Sequence, residues 1–395
     1  MTVFDCFSFN DELDILEFRI SYLNNVVDRF VIAEAPTTFR GVPKPLHLTS
    51  NIDRFAPWRA KMDVIVTEAL PSDAAPFANQ IRQQAALRRA LANTAPDDIV
   101  LVGDMDEIPF ASLVARLPEL LDGPARLVQY HAVNYANHRV PGMWTDGTKA
   151  CRGADLDHPE MGVLLGDPDA KWAPGGQRLI HEAGWHLSYL GGSTTMARKL
   201  GTNPHTELDR PLLREGRYLE RCLAAGIDLL GESKLEVIHP GDFDDILSRL
   251  YSTRPELFSF GIRPGGWRRE SLYAYSHLRA QRRLPAWLVR WFDSADSNLL
   301  SVLAAPLIPA DRLLRQARRR GWREGLERRV RSLRTEGLRG LWTTSSPSGQ
   351  LGDLGSCDKC DGTGYVFNGY STRPCETCGA SGAHPRPVKA EVSRS

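Results

Sequence analysis

The sequence predicts an α/β fold in which a mostly parallel sheet is flanked by helices. Short apolar runs typical of buried strands recur along the first hundred residues, and amphipathic helical patterns separate them. The run Ile99–Val102 leads directly into the acidic segment Asp104–Glu107. Ligands of open α/β sheets bind beyond the carboxyl ends of strands, so we expect the functional site at this segment.

The elements follow one another in a strand–helix order. The predicted strands are Val3–Phe9, Phe30–Ala33, Val64–Val66 and Ile99–Val102, with further strand-like runs at Leu127–Tyr130 and Gly184–Tyr189. The predicted helices are Glu12–Val26, Phe77–Leu91, Ser112–Leu121, Thr195–Leu200 and Arg214–Ala225. Strands separated by helices indicate parallel pairing, and Pro109, which lacks an N–H, is expected to stop the pairing after the acidic segment.

The rest of the chain has a different composition. We expect the α/β domain to cover residues 1–262, because an Arg-Pro-Gly-Gly break follows it. An arginine-rich helical extension (263–342), a flexible linker (343–356), a cysteine module (357–382) and a disordered tail (383–395) are predicted next. Between Asp311 and Trp342 there are eleven Arg and four acidic residues. These helices would contact an anionic membrane or nucleic acid, or would form a solvated face that packs leucines on the main domain.

Composition predicts a soluble globular protein. Apolar residues make up 42% of the chain, charged residues 25%, and the net charge is +1. The amino terminus enters a strand-like run without a signal-peptide pattern, and the apolar run Leu299–Ile308 is too short to span a bilayer. We therefore expect no transmembrane segment and a cytoplasmic location, with peripheral membrane contact through the arginine-rich helices.

The seven cysteines fall into two classes. Cys6, Cys151 and Cys222 are isolated, which is typical of inert core residues. The other four form two Cys-x-x-Cys pairs separated by fourteen residues: Cys357, Cys360, Cys375 and Cys378. This spacing predicts a structural, tetrahedral Cys₄ zinc site, and the segment resembles one zinc-binding unit of DnaJ-type chaperones.

The acidic segment suggests metal chemistry. Crowded carboxylates repel one another, and a bound divalent cation relieves this repulsion. Asp104 and Asp106 fit an Asp-x-Asp arrangement that holds a metal ion against a nucleotide-sugar diphosphate. The alternative interpretation is an acidic turn that caps the next helix.

Several motifs together resemble glycosyltransferase family 17. They are Phe4–Phe7 with Asn10–Asp14, Val27–Ala35, Thr38–Leu46, Asp104–Pro109, Gly184–Gly192 and Ile238–Asp242. The resemblance covers about residues 1–262 and implies a GT-A-like fold. It also implies inverting transfer of a sugar, typically N-acetylglucosamine from UDP-N-acetylglucosamine, to a glycan acceptor. The stretch Gln80–Gln84 departs from the Gln-Arg pair of the family, and residues 134–177 match least.

Together, the residues and the resemblance define candidate roles. Asp104, Asp106 and His186 are candidate ligands of Mn²⁺ or Mg²⁺. Asp106 and Glu107 are candidate catalytic residues, although Glu107 would face away from its neighbour in an extended segment, so Asp155, Asp157 and Glu160 remain open as the general base. The candidate donor-binding residues are Glu34, Lys44, Arg82, Asp104, Trp185, Lys199 and His205.

Each candidate has an ordinary structural alternative, and so does the function. Trp185 and His186 would then be core residues, Glu34 a turn cap, and the lysines surface groups. The alternative functions are a sugar nucleotidyltransferase and an inactive transferase-like binding protein with a zinc interaction module. The segment Phe7–Asn10 lacks the glycine- and arginine/lysine-rich phosphate loop expected of a nucleotidyltransferase.

Overall fold

The computed structural model of the chain describes residues 1–73, 75–162, 165, 178–205, 216–229, 233–261, 267–280, 284–293, 303–309, 311, 365–367 and 372–374. The chain divides into two compact units. The first comprises Met1–Asp228, Ser233–Ile262 and Ser356–Ser395, and the second comprises Leu229–Glu232 and Arg263–Gly355. The four cysteines of the predicted zinc site and the arginines of 312–342 lie outside the described residues.

The described strands and helices are named here in chain order. The strands are β1 Val3–Phe9, β2 Arg29–Glu34, β3 Met62–Val66, β4 Ile99–Asp104, β5 Glu107–Pro109, β6 Ala125–Leu127, β7 Gln129–Val133, β8 His138–Trp144, β9 Lys149–Arg152, β10 Arg178–Ile180, β11 Gly184–Ser188, β12 Glu236–Val237, β13 Tyr365–Phe367 and β14 Thr372–Pro374. The helices are α1 Leu13–Leu23, α2 His47–Ser50, α3 Pro76–Ala90, α4 Ala111–Val114, α5 Leu117–Leu120, α6 Pro159–Gly162, α7 Gly192–Thr202, α8 Gly216–Ala225, α9 Asp245–Thr253, α10 Trp267–Ala280 and α11 Ala286–Asp293.

The first sheet has the order β10–β6–β9–β4–β1–β2–β3. Strands β4, β1, β2 and β3 pair in parallel, which confirms the prediction for the amino-terminal strands. Strand β9 is antiparallel to both β4 and β6, so the sheet is mixed beyond β4. The sequence did not predict β9, because its four residues carry no clear alternation.

Alternate residues of the parallel strands face opposite sides of the sheet, and a different helix covers each side. Phe7 and Leu101 face the cluster that contains Leu16 and Ile20 of α1. Cys6, Val31 and Val102 face the cluster that contains Leu87 of α3, together with Cys151. Cys6, Cys151 and Cys222 are buried free thiols, as predicted. The sheet is therefore covered on both faces, and its strand ends are the accessible part.

A second sheet, in the order β13–β14–β8–β7–β11–β5, lies in the same unit, and β12 pairs with β8. The predicted run Leu127–Tyr130 is in fact two strands that belong to different sheets, with Val128 between them. Strand β5 ends at Pro109, as predicted, and Pro109 itself still lies opposite Gly184 of β11. The acidic segment therefore links the two sheets: Asp104 ends β4 and Glu107 begins β5.

Some predicted helices have other bounds. The predicted helix Ser112–Leu121 is two short helices, α4 and α5, because Pro118 suits the first turn of a new helix and not the interior of a longer one. In the second unit, α10 and α11 contact each other through Tyr275 and Phe292, whose ring centroids are 5.1 Å apart. None of the helices described above has the length and hydropathy of a membrane span.

Candidate active site

A buried ion pair fixes the backbone of the acidic segment. Arg19 of α1 and Asp5 of β1 are both fully buried, and two guanidinium nitrogens donate to the carboxylate at 2.6 and 2.8 Å. The remaining nitrogen donates to the carbonyl oxygens of Asp104 (2.7 Å) and Met105 (2.9 Å). The sequence signal for this pair was an arginine on the otherwise apolar side of α1 and an aspartate inside an apolar strand, and we did not predict a role for either residue.

The two aspartates of the segment differ in environment. The Asp104 side chain is exposed, and its carboxylate makes no hydrogen bond or ion pair within the described part of the chain. Desolvation by surrounding protein atoms and the negative charge of Asp106 raise the pKa of Asp104. Asp106 is only 5% exposed. One carboxylate is therefore open to a ligand, and the other is enclosed by the protein.

The side chains of Lys199 and His186 lie beside Asp106. The Lys199 ammonium lies 2.5 Å from one carboxylate oxygen, and Nε2 of His186 lies 3.5 Å from the other. Burial alone would raise the pKa of Asp106, but Lys199 and His186 hold it well below its usual range. Asp106 in turn raises the pKa of His186 and, with Glu12, that of Lys199, against the effect of burial. At neutral pH this cluster therefore pairs an ionised carboxylate with an ammonium.

Lys199 also contacts a carboxylate that we did not predict. Its ammonium lies 2.8 Å from Glu12, the residue before α1, and 5.4 Å from the ring centroid of Tyr189. Burial raises the pKa of Glu12. Lys199 is held by α7, which follows a turn with left-handed backbone at Tyr189 (φ 56°), Gly191 (φ 102°) and Gly192 (φ 84°). Such backbone favours glycine and often occurs at functional sites.

Side chains from three neighbouring strands of the second sheet form a row next to Asp106. His186 of β11 is opposite His131 of β7 and Glu107 of β5, so the three side chains share one face of the second sheet. The rings of His131 and His186 are stacked at 4.6 Å, and Trp144 packs 4.6 Å from His186. Burial and the neighbouring His186 keep the pKa of His131 well below its usual value, so this imidazole is neutral. His131 and Trp144 gave no sequence signal, because aromatic residues in strands are common.

Glu107 is a buried residue that forms a hydrogen bond with the backbone of the acidic segment. It is 2% exposed, and its two carboxylate oxygens accept hydrogen bonds from Trp144 Nε1 (2.6 Å), the Thr148 hydroxyl (3.1 Å) and the Asp104 amide (3.0 Å). Burial and the charge of Asp104 raise its pKa to about 7. These contacts fix the orientation of Glu107 toward protein groups, which agrees with a positioning role.

Two predicted donor-binding residues, Glu34 and Lys44, form hydrogen bonds with the protein backbone. Glu34 is buried at the end of that strand and accepts hydrogen bonds from the amides of Leu48 (2.8 Å) and Thr49 (3.0 Å). This is the turn-capping alternative, here at α2. The Lys44 ammonium donates to the Asn10 carbonyl at 2.9 Å and lies 3.9 Å from Glu34, and burial lowers its pKa.

On helix α3, Arg82 is exposed and the next residue, Gln83, is buried. Arg82 is exposed and donates to the Asn79 side chain at 2.9 Å. Gln83, which we did not assign, is buried and donates to the carbonyls of Ala33 (2.7 Å) and Phe9 (3.3 Å) at the ends of β2 and β1. Gln83 therefore joins α3 to the strand ends, and Arg82 is the residue of this stretch that faces solvent.

The other predicted donor residues are Trp185 and His205, and Trp185 faces away from the aspartates. Trp185 faces the opposite side of the second sheet from His186, since adjacent strand residues alternate, and its Nε1 donates to Asp244 at 2.6 Å. This is the core alternative for Trp185. His205 packs edge-on against Phe77 at 5.0 Å, and its charge is one of those that act on Asp104.

The open candidates for the general base lie at the far end of β4. The amide of Gly153 bonds to the Asp98 carbonyl, next to the first residue of that strand, and Asp155 follows in a short 3-10 helix. Asp157 is exposed and forms an ion pair with Arg88. Glu160 lies in α6, which follows. These acids are thus placed by the amino end of β4, whereas Asp104 ends it.

The donor set suits a hard divalent cation. Asp104 offers carboxylate oxygens, and His186 lies beside Asp106. Within the described ranges, however, no three or more His, Cys, Asp or Glu side chains are gathered closely enough to hold a metal ion. The Lys199 ammonium occupies one side of Asp106 instead. The carboxylates of Asp104 and Asp106 are thus of the chemical type that binds Mn²⁺ or Mg²⁺, and a cation that takes the Asp106 oxygen held by Lys199 must replace the ammonium.

Comparison with known proteins places the amino-terminal third among glycosyltransferase sequences. Residues 1–136 match Glycosyltransferase family 17. The chain is 30% identical over 138 residues to the beta-1,4-mannosyl-glycoprotein 4-beta-N-acetylglucosaminyltransferases of Rattus norvegicus and Homo sapiens, and 29% identical to that of Mus musculus. The aligned segment is 33% of this chain and 25 to 26% of those proteins.

The match contains only part of the site. Glu12, Asp104, Asp106 and Glu107 fall within residues 1–136, whereas His186 and Lys199 lie beyond them. The resemblance of Gly184–Gly192 and Ile238–Asp242 to the family also lies beyond the matched residues. The chain spans about a quarter of the length of the curated relatives it matches.

Proposed function

We propose that this chain is an inverting glycosyltransferase with a GT-A-like domain, and that it transfers N-acetylglucosamine from UDP-N-acetylglucosamine to a glycan or glycoconjugate acceptor. The main support is the cluster of Asp104, Asp106 and Lys199 at the carboxyl end of β4. Both aspartates lie in the part of the chain that is similar to family 17. Breaking the bond to a nucleoside diphosphate leaves negative charge on the departing oxygen. In this proposal the ammonium of Lys199 attracts that charge.

In this proposal Asp104 and Asp106, with His186, hold Mn²⁺ or Mg²⁺. When bound, the cation supplies stabilisation of the charge that develops on the diphosphate. Arg19 and Glu107 keep the backbone of the acidic segment in place through the hydrogen bonds at Asp104 and Met105. We assign Glu107 a positioning role, because both its oxygens accept hydrogen bonds from the protein.

The proposal is tested by UDP release from UDP-N-acetylglucosamine by the full chain with Mn²⁺. We expect release that EDTA abolishes and that Asp104→Asn lowers, whereas Asp63→Asn, the same change at a half-exposed residue of β3 paired with Arg29, leaves it unchanged. Assays with UTP and sugar 1-phosphate test the nucleotidyltransferase alternative. Pyrophosphate release in that assay, without turnover of any UDP-sugar, would contradict the proposal.

The proposal also includes a zinc ion at the carboxy-terminal cysteines. We propose that Cys357, Cys360, Cys375 and Cys378 bind one structural Zn²⁺ that takes no part in transfer. The variant Cys357→Ser/Cys360→Ser should lose bound zinc, measured by elemental analysis, and keep UDP release. Loss of UDP release in a variant whose residues 1–262 remain folded would contradict this accessory role.

A cytoplasmic location with peripheral contact to an anionic membrane is also part of the proposal. In the second unit, Trp287 (65% exposed) and Trp291 (51% exposed) of α11 are four residues apart and therefore lie on one helix face. Interfacial helices place tryptophan at the lipid headgroups. We expect Trp287→Ser/Trp291→Ser to reduce sedimentation with phosphatidylglycerol vesicles, whereas Phe77→Ser, at a 46% exposed aromatic residue of the first unit, should not.

A further inference from the structure

The two oxygens of the Asp106 carboxylate lie beside different side chains. Lys199 contacts one oxygen at 2.5 Å, and His186 lies 3.5 Å from the other. The carboxylate is 7% exposed and the Lys199 side chain 18% exposed, so little solvent screens their attraction. A second cation that binds the Asp106 oxygen held by Lys199 must take the place of the ammonium.

The structure also contains a second carboxylate for the displaced ammonium. Glu12 lies 2.8 Å from Nζ of Lys199, and it belongs to the loop before α1 rather than to the acidic segment. An ammonium carries three N–H donors on a flexible stem and can lose one acceptor while it keeps another. Leaving Asp106 for Glu12 would therefore not leave Lys199 as an unpaired buried charge.

We propose that Lys199 is a displaceable internal cation: it neutralises Asp106 while no donor is bound, and it moves onto Glu12 and the donor diphosphate when a metal ion takes its place. Glu12 is then a positioning residue, which acts through Lys199. This inference rests on the proposed function, because it specifies how the same site admits its metal ion. It implies that the free protein binds divalent cations weakly and that the nucleotide strengthens their binding.

The test is a Mn²⁺ titration of the full chain by electron paramagnetic resonance, first without nucleotide. Lys199→Gln removes the competing charge, and we expect it to bind Mn²⁺ about tenfold more tightly than the unmodified protein. Lys199→Met provides a second variant should the first fail to fold. The matched control is Arg198→Gln, the preceding residue of α7, which is 57% exposed and pairs with Asp11 at 2.9 Å. Its Mn²⁺ affinity should change less than about twofold.

Glu12→Gln tests the second half of the proposal. Without Glu12 the ammonium has only Asp106, so Mn²⁺ affinity should fall several-fold, and this fall should be smaller when Lys199→Gln is also present. UDP should raise Mn²⁺ affinity more in the unmodified protein than in Lys199→Gln.

Two results would overturn the inference: equal Mn²⁺ affinity of the unmodified protein and both Lys199 variants, or an effect of Glu12→Gln that is independent of Lys199. Neither result depends on catalysis. Failure of the proposed function would instead be seen as absent turnover of UDP-sugars by the unmodified protein.

Discussion

Arg19 organises the acidic segment without being part of its sequence motif. Its guanidinium is buried between Asp5 and the backbone of Asp104 and Met105, so it links α1, β1 and the end of β4. A buried pair of this kind is not itself strong evidence of stability, because desolvation offsets much of the Coulomb attraction. Its value here lies in fixing the carbonyl groups of the segment.

Removal of Arg19 should therefore cost both stability and geometry. We expect Arg19→Met to lower the free energy of unfolding by about 3 to 5 kcal/mol, because Asp5 is left buried without its partner. Urea unfolding followed by circular dichroism measures this loss. Arg29→Met, which breaks the half-exposed pair with Asp63, should cost less than about 1 kcal/mol. Equal losses in the two variants would contradict the role given to Arg19.

Glu107 should make stability depend on pH. Its pKa is raised from 4.5 to about 7, so the folded protein keeps a proton that the unfolded chain releases between these values. The free energy of unfolding should therefore fall by up to about 3 kcal/mol as the pH rises from about 4.5 to about 7. In buffer with EDTA, Glu107→Gln should show a smaller fall over this interval. Parallel curves for the two proteins would refute the assignment.

The sequence could predict site residues that lie in recognisable motifs, but not those whose role depends on a tertiary contact. Asp104, Asp106, Lys199 and His186 were candidates because of the Asp-x-Asp arrangement and the resemblance to family 17, and the structure brings Asp106, His186 and Lys199 together. Glu12 is an ordinary acidic residue before a helix, and only the tertiary contact with Lys199, 187 positions away, gives it a role. Trp185 illustrates the opposite case: its neighbour His186 is in the site, but strand alternation places the indole on the other face.

At the scale of elements, the parallel strands could be predicted and the second sheet could not. Strands β1 to β4 are apolar runs separated by helices, and this pattern determines their pairing. Strand β5 has three residues and contains Pro109, and the two strands β6 and β7 are separated in the sequence by the single residue Val128. Their assignment to different sheets depends on long-range pairing, which local periodicity does not encode.

The pairing of β5 with β11 depends on Gly184. This residue has φ +147°, and a Cβ atom there would lie 2.1 Å from the Ile108 carbonyl oxygen. We expect Gly184→Ala to lower the free energy of unfolding by about 2 to 4 kcal/mol and to reduce UDP release, since the pairing aligns Glu107 with His186. Gly123→Ala is the control, because a Cβ atom there meets nothing within 4 Å. A loss below about 1 kcal/mol in Gly184→Ala would contradict this account.

At the scale of the whole molecule, the candidate site is built from distant parts of the first unit. Glu12, Asp106 and Lys199 come from the first, second and last quarters of residues 1–262, and they meet because β4 and β11 end close together. The family match ends at residue 136, so sequence similarity covers the aspartates but not the lysine and histidine that contact them. The fold therefore shows that Lys199 and His186, which lie outside the matched residues, contact Asp106.

The most direct test of the central claim is the turnover of UDP-N-acetylglucosamine by Asp106→Asn under saturating donor and Mn²⁺. The substitution keeps the size of the side chain and removes the charge that pairs with Lys199 and faces the proposed metal ion. The account predicts a fall in UDP release of at least about 100-fold, with urea unfolding confirming that the variant is folded. Full turnover in folded Asp106→Asn would contradict the assignment of this aspartate to the site of sugar transfer.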